Sequence, residues 1–258
     1  MKNYWANRLD EQNTLFDQIE KETDDIVRQL YINVLNDLLK DVRLLYADIE
    51  ANNEKGIVRI SDLYKNDRYY KLANTLNSKL VKLGSKEIEI YNEKFLKMYE
   101  EEKELLTVDN YIPDNNAQEV VNEIWTPDGI PWSQRVWANQ EGLQMRVMTE
   151  ITNCFSRGVS VNRAAANLAE EFNVSIHNAE RLVRTELSRV QNQSALNRYK
   201  QAGIKKYKVI GAHDEKTCSE KCEAIIGKEF NIDDANVGTT LPPFHPNCRC
   251  GIVPVIRY

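Results

Sequence analysis

The sequence predicts an α+β fold that is mainly α: long N-terminal helices, then a helical domain with a small two-stranded, cysteine-rich C-terminal module. Three observations lead there. Residues 1–112 contain no proline and only two glycines, Gly56 and Gly84. Apolar residues recur through that stretch every three to four positions, the period of an amphipathic helix. Four of the five cysteines (Cys218, Cys222, Cys248 and Cys250) fall in the last fifty residues, a tail too short to bury much core without a cross-link.

From Leu9 to Ile49 the apolar positions are Phe16, Ile19, Ile26, Leu30, Val34, Leu38, Val42, Leu45 and Ile49. The stretch Ala51–Gly56 carries the asparagines and glycine of a loop. A second helical region runs from about Ser61 to Leu106, with Gly84 as a joint. Residues 1–112 therefore read as an extended helical arm. Pro113, Pro127, Gly129 and Pro131 change the texture, and 113–132 reads as a linker with a turn pinned by Trp125 and Trp132. Ser133 is placed to cap a helix to Phe155, and Gly158 to end it. Ser160 opens a short helix to Phe172, Asn173-Val174-Ser175 makes a turn, and a further helix runs from Ile176 to Gln201. After Gly203, Lys205–Ile210 alternates as a strand, and Gly251–Ile256 is its natural partner. The last domain, 133–258, divides into helices over 133–202 and a cysteine module over 203–258.

A net charge of −5 gives the whole molecule no attraction to nucleic acid. No apolar run approaches the roughly 20 residues of a membrane span. The opening MKNYWANRLDEQ has no apolar core of a secretory signal, so the thiols are expected to form in a reducing cytoplasm. There, metal ligation is favoured over disulfides. A protein later carried out inside a particle can oxidise afterwards.

Cys248 and Cys250 lie two apart, on one side of an extended segment. Cys222 lies one helical turn beyond Cys218. Joining the pairs makes a four-cysteine structural zinc site, with His245 or His213 as substitute ligand. Two disulfides, or free thiols, are the alternatives. Cys154, on an apolar helix, reads as a small buried hydrophobe.

Between residues 181 and 208 the chain carries Arg181, Arg184, Arg189, Arg198, Lys200, Lys205, Lys206 and Lys208 against one acid, Glu186. Such a segment can attract phosphates. Projected at about 100° per residue, however, the helical members scatter around the axis, as on a solvated helix. Residues 161–190 also have the outline of a helix-turn-helix. The catalytic candidates are Glu186, His213 and Asp214. No phosphate-cradling glycine loop, nucleophile elbow or HExxH accompanies them, so the chain is expected not to be an enzyme.

Glu180-Arg-Leu-Val-Arg-Thr-Glu186, Gly203-Ile204, the run from His213 to Cys222, and Pro242-Pro-Phe-His-Pro-Asn-Cys-Arg-Cys250 resemble the phage head morphogenesis family. These are minor capsid proteins similar to the F protein of phage Mu and to minor head proteins of Bacillus phages. The likeness covers about 120–258 and includes Trp132–Trp137 and Gly158–Ser160. It implies a virion component made in the host cytoplasm and associated with the portal vertex, acting in head assembly or DNA packaging or delivery. The implied partners are the portal protein, other head proteins and non-specific DNA, with no membrane and no small-molecule substrate. The competing reading is a zinc-dependent nucleic-acid hydrolase or a DNA-binding protein.

Overall fold

The computed structural model describes residues 2–51, 63–105, 116–211, 218 and 220–256, with side chains throughout except those of 2–9 and 103–105. The break expected within 51–56 therefore falls mostly outside the described residues, as do Pro113, His213 and Asp214. The elements are α1 (Lys2–Ala51), α2 (Asp67–Leu105), α3 (Ala117–Asn122), α4 (Trp132–Ser156), α5 (Val161–Gln201), β1 (Lys206–Ile210), α6 (Cys222–Ile225), β2 (Glu229–Asn231) and β3 (Gly251–Pro254), with a 3-10 turn at Ile232–Asp234. The fold is mainly α with a small antiparallel sheet, as expected. None of the described helices is long and apolar enough to cross a membrane.

The chain forms two compact units that interleave along the sequence, with one boundary between Trp132 and Ser133 and none at 112. One contains Met1–Asp24, Glu89–Trp132 and Glu180–Tyr258; the other contains Asp25–Ile88 and Ser133–Ala179. The second unit draws its core from four helical segments: Leu38, Val42 and Leu45 of α1, Leu76 and Leu80 of α2, Leu143 and Val147 of α4, and Leu168 and Phe172 of α5 are all buried. Its interior also holds a polar knot. The Tyr31 hydroxyl donates to Glu87 at 3.2 Å and accepts from Asn139 at 2.9 Å and Gln140 at 2.7 Å. Each of these groups is buried or half-buried and needs its partner to offset lost hydration.

The first unit holds the sheet, ordered β2-β1-β3, with β1 antiparallel to both neighbours. Tyr207 and Val209 of β1 face inward and the lysines between them face water, the alternation of a half-buried strand. The third strand, β2, has no counterpart in the expected pair; three residues carry too little alternation to be recognised.

Three other local expectations change. Residues 161–201 form one continuous helix, so there is no turn at Asn173-Val174-Ser175 and no helix-turn-helix. The buried stripe Ala164, Leu168, Phe172, Ile176, Ala179, Val183, Leu187, Val190 runs through the expected turn without losing phase, and that burial outweighs weak local turn preference. Ser175 is satisfied inside the helix, its hydroxyl accepting from Arg146 at 2.6 Å. Helix α4 begins at Trp132, which puts Ser133 inside its first turn and not at the cap. Gly158 does end α4 with φ of 62°, its follower Val159 donating back to Cys154 O at 2.9 Å.

Gly84 is not a joint. It lies within the unbroken α2, where an added Cβ would sit 2.7 Å from Trp137 Cζ3 and 3.2 Å from Gln140 Cγ. The glycine is there to admit an indole ring. Gly84→Ala should therefore destabilise the protein by about 1 kcal/mol in urea denaturation, because overpacking exceeds alanine's gain in helix propensity. In a Trp137→Ala background the same change should stabilise by about 1 kcal/mol.

Candidate metal centre

β1 and β3 set the frame of the cysteine module. Beyond β1, the chain crosses the start of α6 and returns under the strand, with Gly227 N–H donating to Val209 O at 2.8 Å and Val209 N–H to Lys228 O at 3.0 Å. Gly211 permits a close approach, since a Cβ there would lie 2.2 Å from Ile226 Cδ1. Leu241, Phe244, Tyr207, Ile232 and Ile252 pack with Leu196 and Tyr199 of α5 into a small core, and three cysteines are embedded in it.

Those three are Cys222, Cys248 and Cys250, all buried, with Sγ atoms within 4.8 Å of one another. None of the five cysteines is joined in a disulfide. Cys222 Sγ lies 3.9 Å from Cys248 Sγ and 3.0 Å from His245 Nε2. The other ring nitrogen, Nδ1, faces Pro246 O at 2.8 Å. A carbonyl only accepts, so Nδ1 carries the proton and Nε2 presents a lone pair toward the thiols. Cys218 is half-buried and stands outside the group of three, with backbone N–H groups of Lys221, Glu220 and Cys222 directed at its sulfur.

The thiols are electrostatically unequal. The hydrogen bond from Cys250, helped by backbone donors, holds the Cys248 thiol below its ordinary value. Cys250, which donates that bond, is pushed up in turn, and burial pushes Cys222 up to about 11. Three thiols with an adjacent imidazole suit a thiophilic divalent cation, which displaces the remaining thiol protons as it binds.

The basic segment divides. Arg181, Lys200, Lys205, Lys206 and Lys208 are exposed. Lys200 faces Asp233 at 3.7 Å. Arg184 does not face solvent freely: its Nη1 bonds both Glu20 oxygens at 2.6 and 2.7 Å, and its guanidinium lies 5.4 Å from the Phe16 ring. Arg198 is 5% exposed and donates to Gln201 at 3.3 Å. Arg189 has no exposed surface. Its Nε bonds Glu186 at 2.7 Å, and its two terminal nitrogens bond the carbonyls of Val120 at 2.7 Å and Val121 at 3.0 Å. Arg189 and Arg198 are therefore unavailable to phosphate, contrary to expectation. Glu186 is likewise a structural acid, its second oxygen accepting from Trp125 Nε1 at 2.9 Å.

Two groups had no sequence signal. Thr185 and Asn192 of α5 bond the backbone of the cysteine loop: Asn247 N–H to Thr185 Oγ1 at 3.1 Å, and Asn192 Nδ2 to Cys250 O at 3.3 Å. Behind that loop lies a cavity of about 260 Å³, bordered by Gln12, Glu102, Gln191, Asn192 and Arg249. Glu102 is fully buried and accepts from Gln12 and from Gln191.

The architecture defines a class: a mainly helical protein ending in a β module whose buried cysteines can hold a metal ion. Residues 145–253 match the family described as Phage Mu protein F like protein, a span that takes in all of α5 and the cysteine module as far as Val253. This supports the phage head morphogenesis family that the motifs resemble. No curated protein and no solved structure matches the chain.

Arg189→Met should cost about 3–5 kcal/mol of unfolding free energy, because it strands Glu186 as an unpaired buried charge. Lys205→Ala should stay within about 0.5 kcal/mol. Glu102 supplies a pH test. Burial raises its carboxyl from 4.5 to about 7, against the two amide donors that favour the anion. Stability from this residue is complete below 4.5 and is lost as pH rises to about 7, amounting to about 3 kcal/mol. Glu102→Gln should flatten the pH dependence of the urea midpoint across that window.

Proposed function

We propose that this chain is a minor capsid protein of a phage or prophage, acting in head morphogenesis at the portal vertex. The family match over residues 145–253 carries the reading, since it covers the cysteine module and the helix on which the module sits. The partners in this reading are the portal protein and other head proteins, with packaged DNA as a non-specific contact of Arg181, Lys200, Lys205, Lys206 and Lys208. The role is structural. Zinc held by Cys222, Cys248 and Cys250 staples a module whose own apolar core is small, with the fourth position filled by His245 or by Cys218. When bound, the ion would supply cross-linking and charge neutralisation. Glu186, the acid nearest in sequence to the basic helix, is already committed to Arg189 and Trp125, which argues against a hydrolytic role for it.

Mass spectrometry of purified particles should find the protein in a small, fixed ratio to the portal protein; its absence from particles would refute the reading. Elemental analysis of reduced protein should give about one zinc per chain. Cys222→Ser should abolish it and Cys154→Ser should not, while His245→Ala and Cys218→Ser distinguish the two candidates for the fourth ligand. In filter binding, changing Lys205, Lys206 and Lys208 to Glu should lower the slope of log affinity against log salt by roughly 0.9 for each phosphate no longer neutralised. An unchanged slope would return these lysines to a solvated surface.

A further inference from the structure

Three polar side chains on α5 recur at intervals of seven residues: Thr185, Asn192 and Tyr199. Each reaches the backbone of the segment that carries Cys248 and Cys250. Thr185 Oγ1 accepts from Asn247 N–H at 3.1 Å, Asn192 Nδ2 donates to Cys250 O at 3.3 Å, and Tyr199 Oη donates to Ile252 O at 3.3 Å. All three side chains are buried, at 7%, 2% and 3% exposure, although Asn247, the partner of the first, is itself exposed.

The spacing follows from helix geometry. Seven residues return to the same face with a drift of only about 20°. They also advance about 10.5 Å along the axis. Three residues of extended chain, the sequence separation of Asn247 and Cys250, would span about 10 Å. The first two rungs therefore fall in register with the loop. The next step, from 250 to 252, advances only about 6.6 Å, and the longer reach of tyrosine takes up the difference. Thr185 is fixed in turn, its hydroxyl hydrogen donated to Arg181 O at 2.7 Å, which leaves its lone pairs to face Asn247. Asn192 is held by Ser188 O at 2.7 Å.

What the rungs hold needs holding. Asn247 has φ of 63°, a left-handed conformation that residues other than glycine rarely adopt and that persists only where surroundings enforce it. That conformation falls between His245 and Cys248, and Cys248 N–H closes the turn on His245 O at 3.1 Å. The first rung thus fixes the bend separating the imidazole from the first thiol of the loop. The second grips the carbonyl of Cys250 itself.

Resting on the reading that the cysteines hold a metal, we propose that Thr185, Asn192 and Tyr199 are positioning residues for that centre. Helix α5 acts as a template that brings the loop thiols into binding geometry before the ion arrives. Groups that orient ligands in this way typically account for 10–100-fold in metal affinity.

The test uses the full-length protein, reduced, with cobalt(II) as a spectroscopic probe and zinc(II) measured by chelator competition. Thr185→Val and Asn192→Leu should each weaken both ions by 10–100-fold and alter the cobalt d–d band envelope, while Thr185→Ser should restore affinity to within about threefold. Tyr199→Phe removes a single oxygen and should shift affinity in the same direction, so it carries the test if Thr185→Val does not fold. Hydrogen exchange should show lost protection at the Asn247 amide in Thr185→Val. Wild-type metal affinity and an unchanged cobalt spectrum in Tyr199→Phe and Asn192→Leu, with only a lower melting temperature of the chelated protein, would overturn the proposal. Wild-type protein that takes up neither ion would overturn the metal reading itself and the ladder with it.

Discussion

A guanidinium with no solvent contact organises the sheet-bearing unit. Arg189 joins two pieces of chain far apart in sequence: its own helix, through Glu186, and the end of α3, through the carbonyls of Val120 and Val121. Those carbonyls belong to a helix of six residues, whose last oxygens have no partners within it. Only a residue with several donors in a fixed plane can serve a carboxylate and two carbonyls together, which is why lysine could not substitute. Trp125 completes the arrangement by donating to the other Glu186 oxygen, and Trp132 adds a bond to Val121 O at 3.0 Å. The two tryptophans that pin the turn at 125–132 are thus tied to the same buried charge pair, Trp125 directly and Trp132 through Val121.

The cysteine trio poses the opposite electrostatic problem. In the Arg189 cluster every charge has a counter-charge in place. Among the thiols, hydrogen bonding favours the ionised form of Cys248, while burial and the neighbouring sulfurs disfavour it at Cys222 and Cys250. A divalent cation inverts that balance, turning mutual repulsion among thiolates into shared attraction. A hydrophobic core as small as this module's gains more from such a cross-link than from any single further apolar contact.

The sequence made the long helices legible because their apolar stripes are unbroken over many turns, as in Phe16, Ile19, Val42 and Leu45. It also showed β1 through alternation and β3 through its Val and Ile content, and it showed the cysteine cluster through composition. It misled where a local preference met a longer pattern: Asn173-Val174-Ser175 looks like a turn, yet the stripe of α5 passes through it. Gly84 looks like a hinge, but its cause is a ring arriving from Trp137, far along the chain. Arg189 looked like part of a phosphate-binding patch because charge is visible in a sequence and burial is not. Thr185 and Asn192 were invisible for a related reason, since their partners are backbone groups, which every residue carries.

The sheet-bearing unit is assembled from the first 24 residues, a middle stretch of 89–132 and everything after 180. On a ribosome these arrive in that order. Phe16 and Ile19 are made first, Tyr91 and Phe95 follow, and Leu187, Val190 and the cysteine strand come last. No early portion of the chain can close this core by itself. Its apolar faces must wait, shielded by chaperones or by provisional contacts, until the residues after Glu180 have been made. A premature stop just before Glu180 would leave the other unit able to close its core, but would strand Phe16, Ile19, Tyr91 and Phe95 without the residues that complete theirs. Such a fragment would be aggregation-prone, whereas a chain that includes β3 can close that unit.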